Sequence, residues 1–217
     1  MRLIERYLDA HDYEVLNVGY PSRSAPISAL AARVADEIRD WHADVPLDFV
    51  THSLGGILLR AAVDAGALPL ARVQRAVMLG PPNTGSELAD LLPHIPLVGR
   101  LYRVMTGPAG VQLDTSAMGV PAQLPPVPFQ VGIIAGTRSW NPLFSAILGE
   151  PNDGKVRIER TRVAGMHDFI EVPYWHPLLM TPTQVHEQIL HFLTTGRFRP
   201  LDTDRSDAGR DTGAPPD

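Results

Sequence analysis

A short apolar run at residues 47–50 (LDFV) passes directly into Thr51-His52-Ser53-Leu54-Gly55-Gly56, and the apolar stretch 57–63 continues with the character of a helix. A buried strand, a tight turn and a helix in immediate succession form half of a strand–helix–strand unit. Such a unit requires a parallel sheet with helices laid over it. The remaining sequence supplies the partners. Runs at 13–18 (YEVLNV), 75–79 (RAVML), 129–135 (FQVGIIA) and 168–172 (DFIEV) predict further strands. Helices are predicted where apolar residues recur at spacings of three and four: Leu3, Ile4, Tyr7 and Leu8; then Ile27, Leu30, Ala31, Val34, Ile38 and Trp41; then Val185, Ile189, Phe192 and Leu193, with Gly196 as the stop. The expected class is α/β, with a mostly parallel sheet flanked by helices.

Two segments stand apart. Residues 87–125 contain scattered apolar helical pieces and a Pro-rich end but no strand, the pattern of an insertion lying over something. From Arg197 onward the chain is polar and rich in Asp, Gly and Pro, the composition of a disordered tail.

At 217 residues, 44% hydrophobic and 20% charged, the chain can bury one sizeable core. Its net charge is −5 and its basic residues form no stripe, which argues against nucleic acid as a partner. It has no cysteine, so disulfides, thiolate metal ligands and a cysteine nucleophile are excluded. No apolar run reaches the roughly 20 residues of a membrane span. The first residues alternate charged and apolar side chains unlike a signal peptide, so the sequence as written is expected in the cytoplasm.

The segment 51–55 has the context of a nucleophile elbow, in which a serine on a sharp strand-to-helix turn is lifted clear of the sheet. The residues two before and two after it must be small. Gly55 meets that need, and Thr51 stands where the commoner pattern has glycine. Ser53 is the candidate nucleophile, and the N–H of Leu54 is the candidate oxyanion donor. A serine alcohol needs a histidine base, and that base needs a carboxylate to orient it. Of the eight histidines, His176 follows the 168–172 strand at its carboxyl end, the end at which Ser53 also sits. His167 precedes the same strand and is the alternative. His52 neighbours the serine and is expected to support the site. For the acid, Asp153 lies in a turn, Asn152-Asp153-Gly154, that can bend sharply and aim a carboxylate. Glu150 and Asp168 are its alternatives. Asn83 and Thr84 sit at a strand end near this constellation and are expected only to shape the loop.

These motifs, taken in order, resemble the α/β-hydrolase superfamily and its bacterial lipase and esterase branch. YPSR follows the first strand, THSLGG forms the elbow, LGPPNTGS follows the next strand, NDGKV surrounds the acid and WHPLLM the histidine. The set looks like the subgroup of lipase-like or PGAP1-like hydrolases. The resemblance implies Ser53 as nucleophile, Asp153 as orienting acid, His176 as general base and then acid, and Leu54 as oxyanion donor. It further implies a hydrolase domain over residues 1–196 with 87–125 as lid or substrate wall, a tail over 197–217, no metal or organic cofactor, and a small-molecule ester or lipid as substrate. Acyl transfer to another acceptor, thioester hydrolysis, or a non-catalytic binding protein on the same scaffold are the competing readings. Oligomeric state is not legible.

One departure from the pattern matters. Proteins of this type normally begin with an apolar strand ending in His-Gly, placed centrally between the 13–18 and 47–50 strands. No run here can replace it. The expectation is therefore a sheet lacking its N-terminal strand, with inner strand edges left unpaired, and a Met1 that is internal to a longer protein.

Overall fold

The computed structural model describes residues 1–140, 142–149 and 151–201. Its elements run α1 (Arg2–Asp9), α2 (Ile27–Arg39), β1 (Leu47–His52), α3 (Leu54–Asp64), β2 (Val73–Leu79), α4 (Glu87–Leu91), α5 (Val98–Val111), α6 (Val120–Gln123), β3 (Gln130–Gly136), α7 (Pro142–Leu148), α8 (Ile158–Thr161), β4 (Asp168–Val172) and α9 (Thr183–Thr195). The four strands form one sheet in the order β1-β2-β3-β4, and every neighbouring pair is parallel.

The alternation of side chains along a strand divides the core in two. Ala76 and Met78 of β2, with Val131 and Ile133 of β3, pack with Ile27, Leu30, Ile57 and Leu58 of α2 and α3. Val77, Leu79 and Ile134 point the other way and pack with Ile4 and Leu8 of α1 and with Ile189 and Phe192 of α9. A smaller third cluster, Leu88, Leu92 and Leu148 with Tyr102, Phe144 and Ile147, joins α4, α5 and α7. These elements lie after the carboxyl ends of β2 and β3, so they stand over one edge of the sheet. Residues 87–125 are helical without a strand, as the apolar pieces of that segment suggest. The short α7 and α8 were not legible in the sequence.

The run 13–18 does not form the expected strand. A strand of this length needs a hydrogen-bonded neighbour, and among the described residues none lies beside it. It is tied instead to α1, through Tyr13 N–H to the Leu8 carbonyl (3.2 Å) and Asn17 Nδ2 to Glu5 Oε2 (2.6 Å). β1 pairs only with β2, so its other side is an edge among the described residues. Along that edge runs a cavity of about 320 Å³, walled by Tyr13, Val15 and Val18 on one side and Phe49, Leu58 and Ile38 on the other. The cavity lies between the two segments, and no ladder joins them among the described residues. Thr51 Oγ1 and Asp48 Oδ1 on β1 are buried without a hydrogen-bond partner.

Residues 197–199, where the polar tail was expected to begin, are packed. Phe198 is buried against Phe192, its N–H donates to Asp168 Oδ2 (2.8 Å), and the Arg199 N–H donates to Gln188 Oε1 (2.8 Å). The rest of the expected tail, 202–217, lies outside the described residues.

Candidate active site

Ser53 sits between β1 and α3 with φ 53° and ψ −120°. A left-handed φ on a serine costs on the order of 1–3 kcal/mol and persists only where the surroundings enforce it. Here they do. The Ser53 N–H donates to the Leu79 carbonyl at 2.9 Å, which extends the β1–β2 ladder to the turn itself. On the helix side, a Cβ built on Gly55 would stand 3.4 Å from the Thr51 Cβ and 3.5 Å from the Tyr20 hydroxyl, ordinary contact distances. The threonine in place of the usual glycine therefore fits without displacing the turn. Leu54 is the first residue of α3, so its N–H is among those a helix leaves without an intrahelical partner.

Asp153 and His176 are brought together beside this edge. Asp153 Oδ2 accepts from His176 Nδ1 at 2.6 Å, and both side chains are almost wholly buried. Asp153 Oδ1 accepts from the backbone N–H groups of Lys155 (3.0 Å) and Val156 (2.8 Å). A carboxylate can be held this deep because both oxygens receive donors. The His176 N–H also donates to the Asp153 carbonyl at 2.9 Å, so backbone and side chain each lock the pair. The turn forms as its residues suggest: Asn152 Oδ1 accepts from the Gly154 N–H at 2.8 Å, and Gly154 takes φ +92°. With Nδ1 donating to the carboxylate, Nε2 is the acceptor nitrogen. It is buried and has no hydrogen-bond partner.

Gly80 links the pair to the serine. Its N–H donates to Ile134 (2.9 Å), one step past Leu79, the residue whose carbonyl holds Ser53. Its φ is +52°, and a Cβ there would stand 3.0 Å from Asp153 Oδ2, from His176 Nδ1 and from Leu179 Cδ1. Glycine at this position lets the Asp–His pair lie directly on the end of β2. The residues after it hold α8 and, through Ser86, the acid turn before it. Asn83, fully buried, donates through Nδ2 to the Thr161 carbonyl (2.8 Å), the Thr84 N–H donates to the Arg160 carbonyl (3.0 Å), and Ser86 donates to the Lys155 carbonyl (2.9 Å). Buried Arg60 holds Asn83 in turn, donating to its carbonyl (2.8 Å) and its Oδ1 (3.2 Å), and to the carbonyls of Leu124 and Pro125. Sequence reasoning flagged Asn83 and Thr84 only as loop residues and missed Gly80, Ser86 and Arg60. The available signal was the compact Gly-Pro-Pro-Asn-Thr-Gly-Ser run at a strand end.

His52 turns toward the base. Its Nε2 donates to the His176 carbonyl at 3.0 Å, and the two rings lie 4.8 Å apart. Burial, reinforced by the neighbouring His176, draws its pKa down to about 3. A neutral ring here does not oppose positive charge on His176.

The alternatives fall elsewhere. His167 precedes β4 at the amino end of the sheet, with its N–H bonded to the Val131 carbonyl (2.8 Å). Asp168 begins β4 and accepts from the neighbouring Phe169 N–H and from the Phe198 N–H that follows α9. Glu150 lies outside the described residues. Ser53, Asp153 and His176 do not line the cavity beside β1.

Comparison with known proteins agrees with the architecture. The mature lipase BlEst2 of Bacillus licheniformis is 22% identical with a TM-score of 0.57, over 74% of this chain and 75% of that one. The metagenomic carboxyl esterase MGS0156 is 19% identical with a TM-score of 0.62, over 80% of this chain and 57% of that one. The phospholipase PlaB of Legionella pneumophila, in complex with thio-NAD, is 22% identical with a TM-score of 0.54, over 73% of this chain and 40% of that one. Against the propeptide form of the Bacillus lipase the chain spans 41% of the longer protein. At these identities the likeness establishes the fold, that of the α/β-hydrolases. No curated protein matches the sequence. A family described as a domain of unknown function, DUF7379, matches residues 3–120, just over half the chain, a span that takes in Ser53 and stops short of Asp153 and His176. The chain belongs to the DUF7379 family.

Proposed function

We propose that this protein is a serine hydrolase that cleaves carboxylic esters, of the bacterial lipase and esterase type and its PGAP1-like branch. The observation that carries the reading is the buried Asp153–His176 pair, 2.6 Å apart, resting on Gly80 at the sheet edge where Ser53 holds its strained turn. A merely structural histidine has no need of a buried carboxylate on one nitrogen and an unpartnered second nitrogen.

The proposed mechanism is acyl transfer through Ser53. His176 Nε2 takes the Ser53 proton as Oγ attacks the ester carbonyl, and Asp153 stabilises the imidazolium through Nδ1–H. The Leu54 N–H donates to the developing oxyanion. His176 then gives its proton to the leaving alcohol, forming an acyl-enzyme on Ser53. Water, deprotonated by the same nitrogen, releases the acid and restores the serine. Neither a metal nor an organic cofactor enters these steps. The helical segment 87–125, standing over this edge of the sheet, serves as the wall or lid of the acyl site.

Labelling with a fluorophosphonate tests the reading. A single adduct on Ser53, abolished by Ser53→Ala and strongly slowed by His176→Ala, is expected. A folded protein that takes no label would favour a non-catalytic binding protein on this scaffold.

A further inference from the structure

His176 is gripped on two sides. On one side stands the acid turn, whose Asp153 accepts from both the ring and the backbone N–H. On the other stands His52, the last residue of β1, whose Nε2 donates to the His176 carbonyl at 3.0 Å. The first grip ties the base to the acid. The second ties it to the strand that carries the nucleophile, since Ser53 is the next residue. The Leu179 N–H reaches the same carbonyl, but at 3.4 Å and from within the same turn, so it links His176 only to its own segment. Among the described residues no hydrogen bond reaches His176 Nε2. The serine side chain therefore does not itself hold the base, and the register between the two falls to the backbone.

The carbonyl that His52 holds is placed to steer the base. It belongs to the peptide joining His176 to Pro177, in the short helical turn His176–Leu178. Proline locks its own φ, so the turn has little freedom to absorb a shift of that peptide, and a shift carries the His176 Cα with it. The two rings are also in contact, with centroids 4.8 Å apart and planes at 45°. His52 thus bounds where the His176 ring swings as well as where its backbone sits. It is not a rival base. A carbonyl accepts only, so the proton sits on the His52 Nε2. The ring is neutral above its pKa of about 3, so it donates without placing a charge beside His176.

We propose that His52 is a positioning residue: through the His176 carbonyl it sets the reach of the base to the neighbouring Ser53. Proton transfer requires that the base lie within hydrogen-bond reach of the hydroxyl, and a misplacement of about 1 Å can cost about 10²-fold in rate. The effect on turnover rests on the ester-hydrolase reading, whereas the tie between the two segments does not.

The test compares the parent chain with His52→Leu, which removes the donor at similar volume, and His52→Gln, whose side-chain amide keeps a donor. In hydrolysis of p-nitrophenyl acetate, counted per site that reacts with a fluorophosphonate, His52→Leu should lower kcat by about 10²-fold and leave KM little changed. His52→Gln should recover most of that loss. Amide hydrogen exchange, measured without substrate, should quicken over residues 174–179 in His52→Leu and not in His52→Gln, with β2 and β3 as protected as in the parent. Should His52→Leu not fold by circular dichroism, His52→Phe, which keeps a ring and drops the donor, takes its place. Parent-like turnover by the donor-less variant, or an equal loss in His52→Gln, overturns the positioning role. Exchange over 174–179 that is the same in the parent and the donor-less variant overturns the tie itself. A folded parent with neither turnover nor label sinks the hydrolase reading and the catalytic role with it, and the exchange comparison still decides the tie.

Discussion

His176 is bonded to Asp153 twice, ring to carboxylate at 2.6 Å and backbone N–H to backbone carbonyl at 2.9 Å. The second bond keeps the residues adjacent when the first is altered. Asp153→Asn should therefore fold normally yet lower kcat for an ester by about 10⁴-fold, because the amide no longer fixes the tautomer that leaves Nε2 as acceptor. Thermal unfolding with steady-state kinetics on the variant checks this, and retention of most of the activity would contradict it.

Gly80→Ala should harm both stability and activity. The new Cβ would sit 3.0 Å from both members of the Asp–His pair at φ +52°. The backbone strain alone is about 1–2 kcal/mol for a residue with a Cβ, and the pair must shift as well. Urea denaturation and kcat measured together test this; a variant as stable and as active as the parent would contradict it.

Stability should depend on His52 in acid. Its folded pKa of about 3 lies below the ordinary value of 6.5. Between those values the unfolded chain takes up a proton that the folded ring refuses, so this contribution is lost as pH falls from about 6.5 toward 3 and is constant above. The slope is at most about 1.4 kcal/mol per pH unit. Urea unfolding at several pH values should give a flatter acid limb for His52→Gln than for the parent. Parallel curves would contradict the assignment.

Asn83→Ala should destabilise by about 2 kcal/mol or more. It strips an acceptor from Arg60, whose pKa burial already pulls down to about 10, and a donor from the Thr161 carbonyl. Because Asn83 ties the segment after β2 to the end of α8, the helix that follows the acid turn, kcat should fall with stability. Chemical denaturation of the variant provides the check.

Much of this arrangement is legible in the residues. Period-three and period-four apolar spacing marks α2 and α9, and the run from LDFV through THSLGG marks β1, the turn and α3, because these depend on local pattern. The acid turn is legible for the same reason, since Asn152 and Gly154 are turn residues wherever they occur. The 13–18 segment misleads because its composition suits a strand but strand formation depends on a neighbour, and β1 lies across a cavity from it. Gly80 is illegible because its requirement comes from two side chains 73 and 96 positions later (153 − 80 = 73; 176 − 80 = 96). Arg60 reads as an ordinary polar position on a helix, and only the fold turns it inward to Asn83.

The most direct measurement is hydrolysis of short- and long-chain p-nitrophenyl esters by the purified chain beside its Ser53→Ala variant. Turnover by the parent, lost in the variant while both give the same circular dichroism spectrum, is the expected result. Equal turnover by both, or none by a folded parent, would contradict the assignment of Ser53 as the nucleophile of an ester hydrolase.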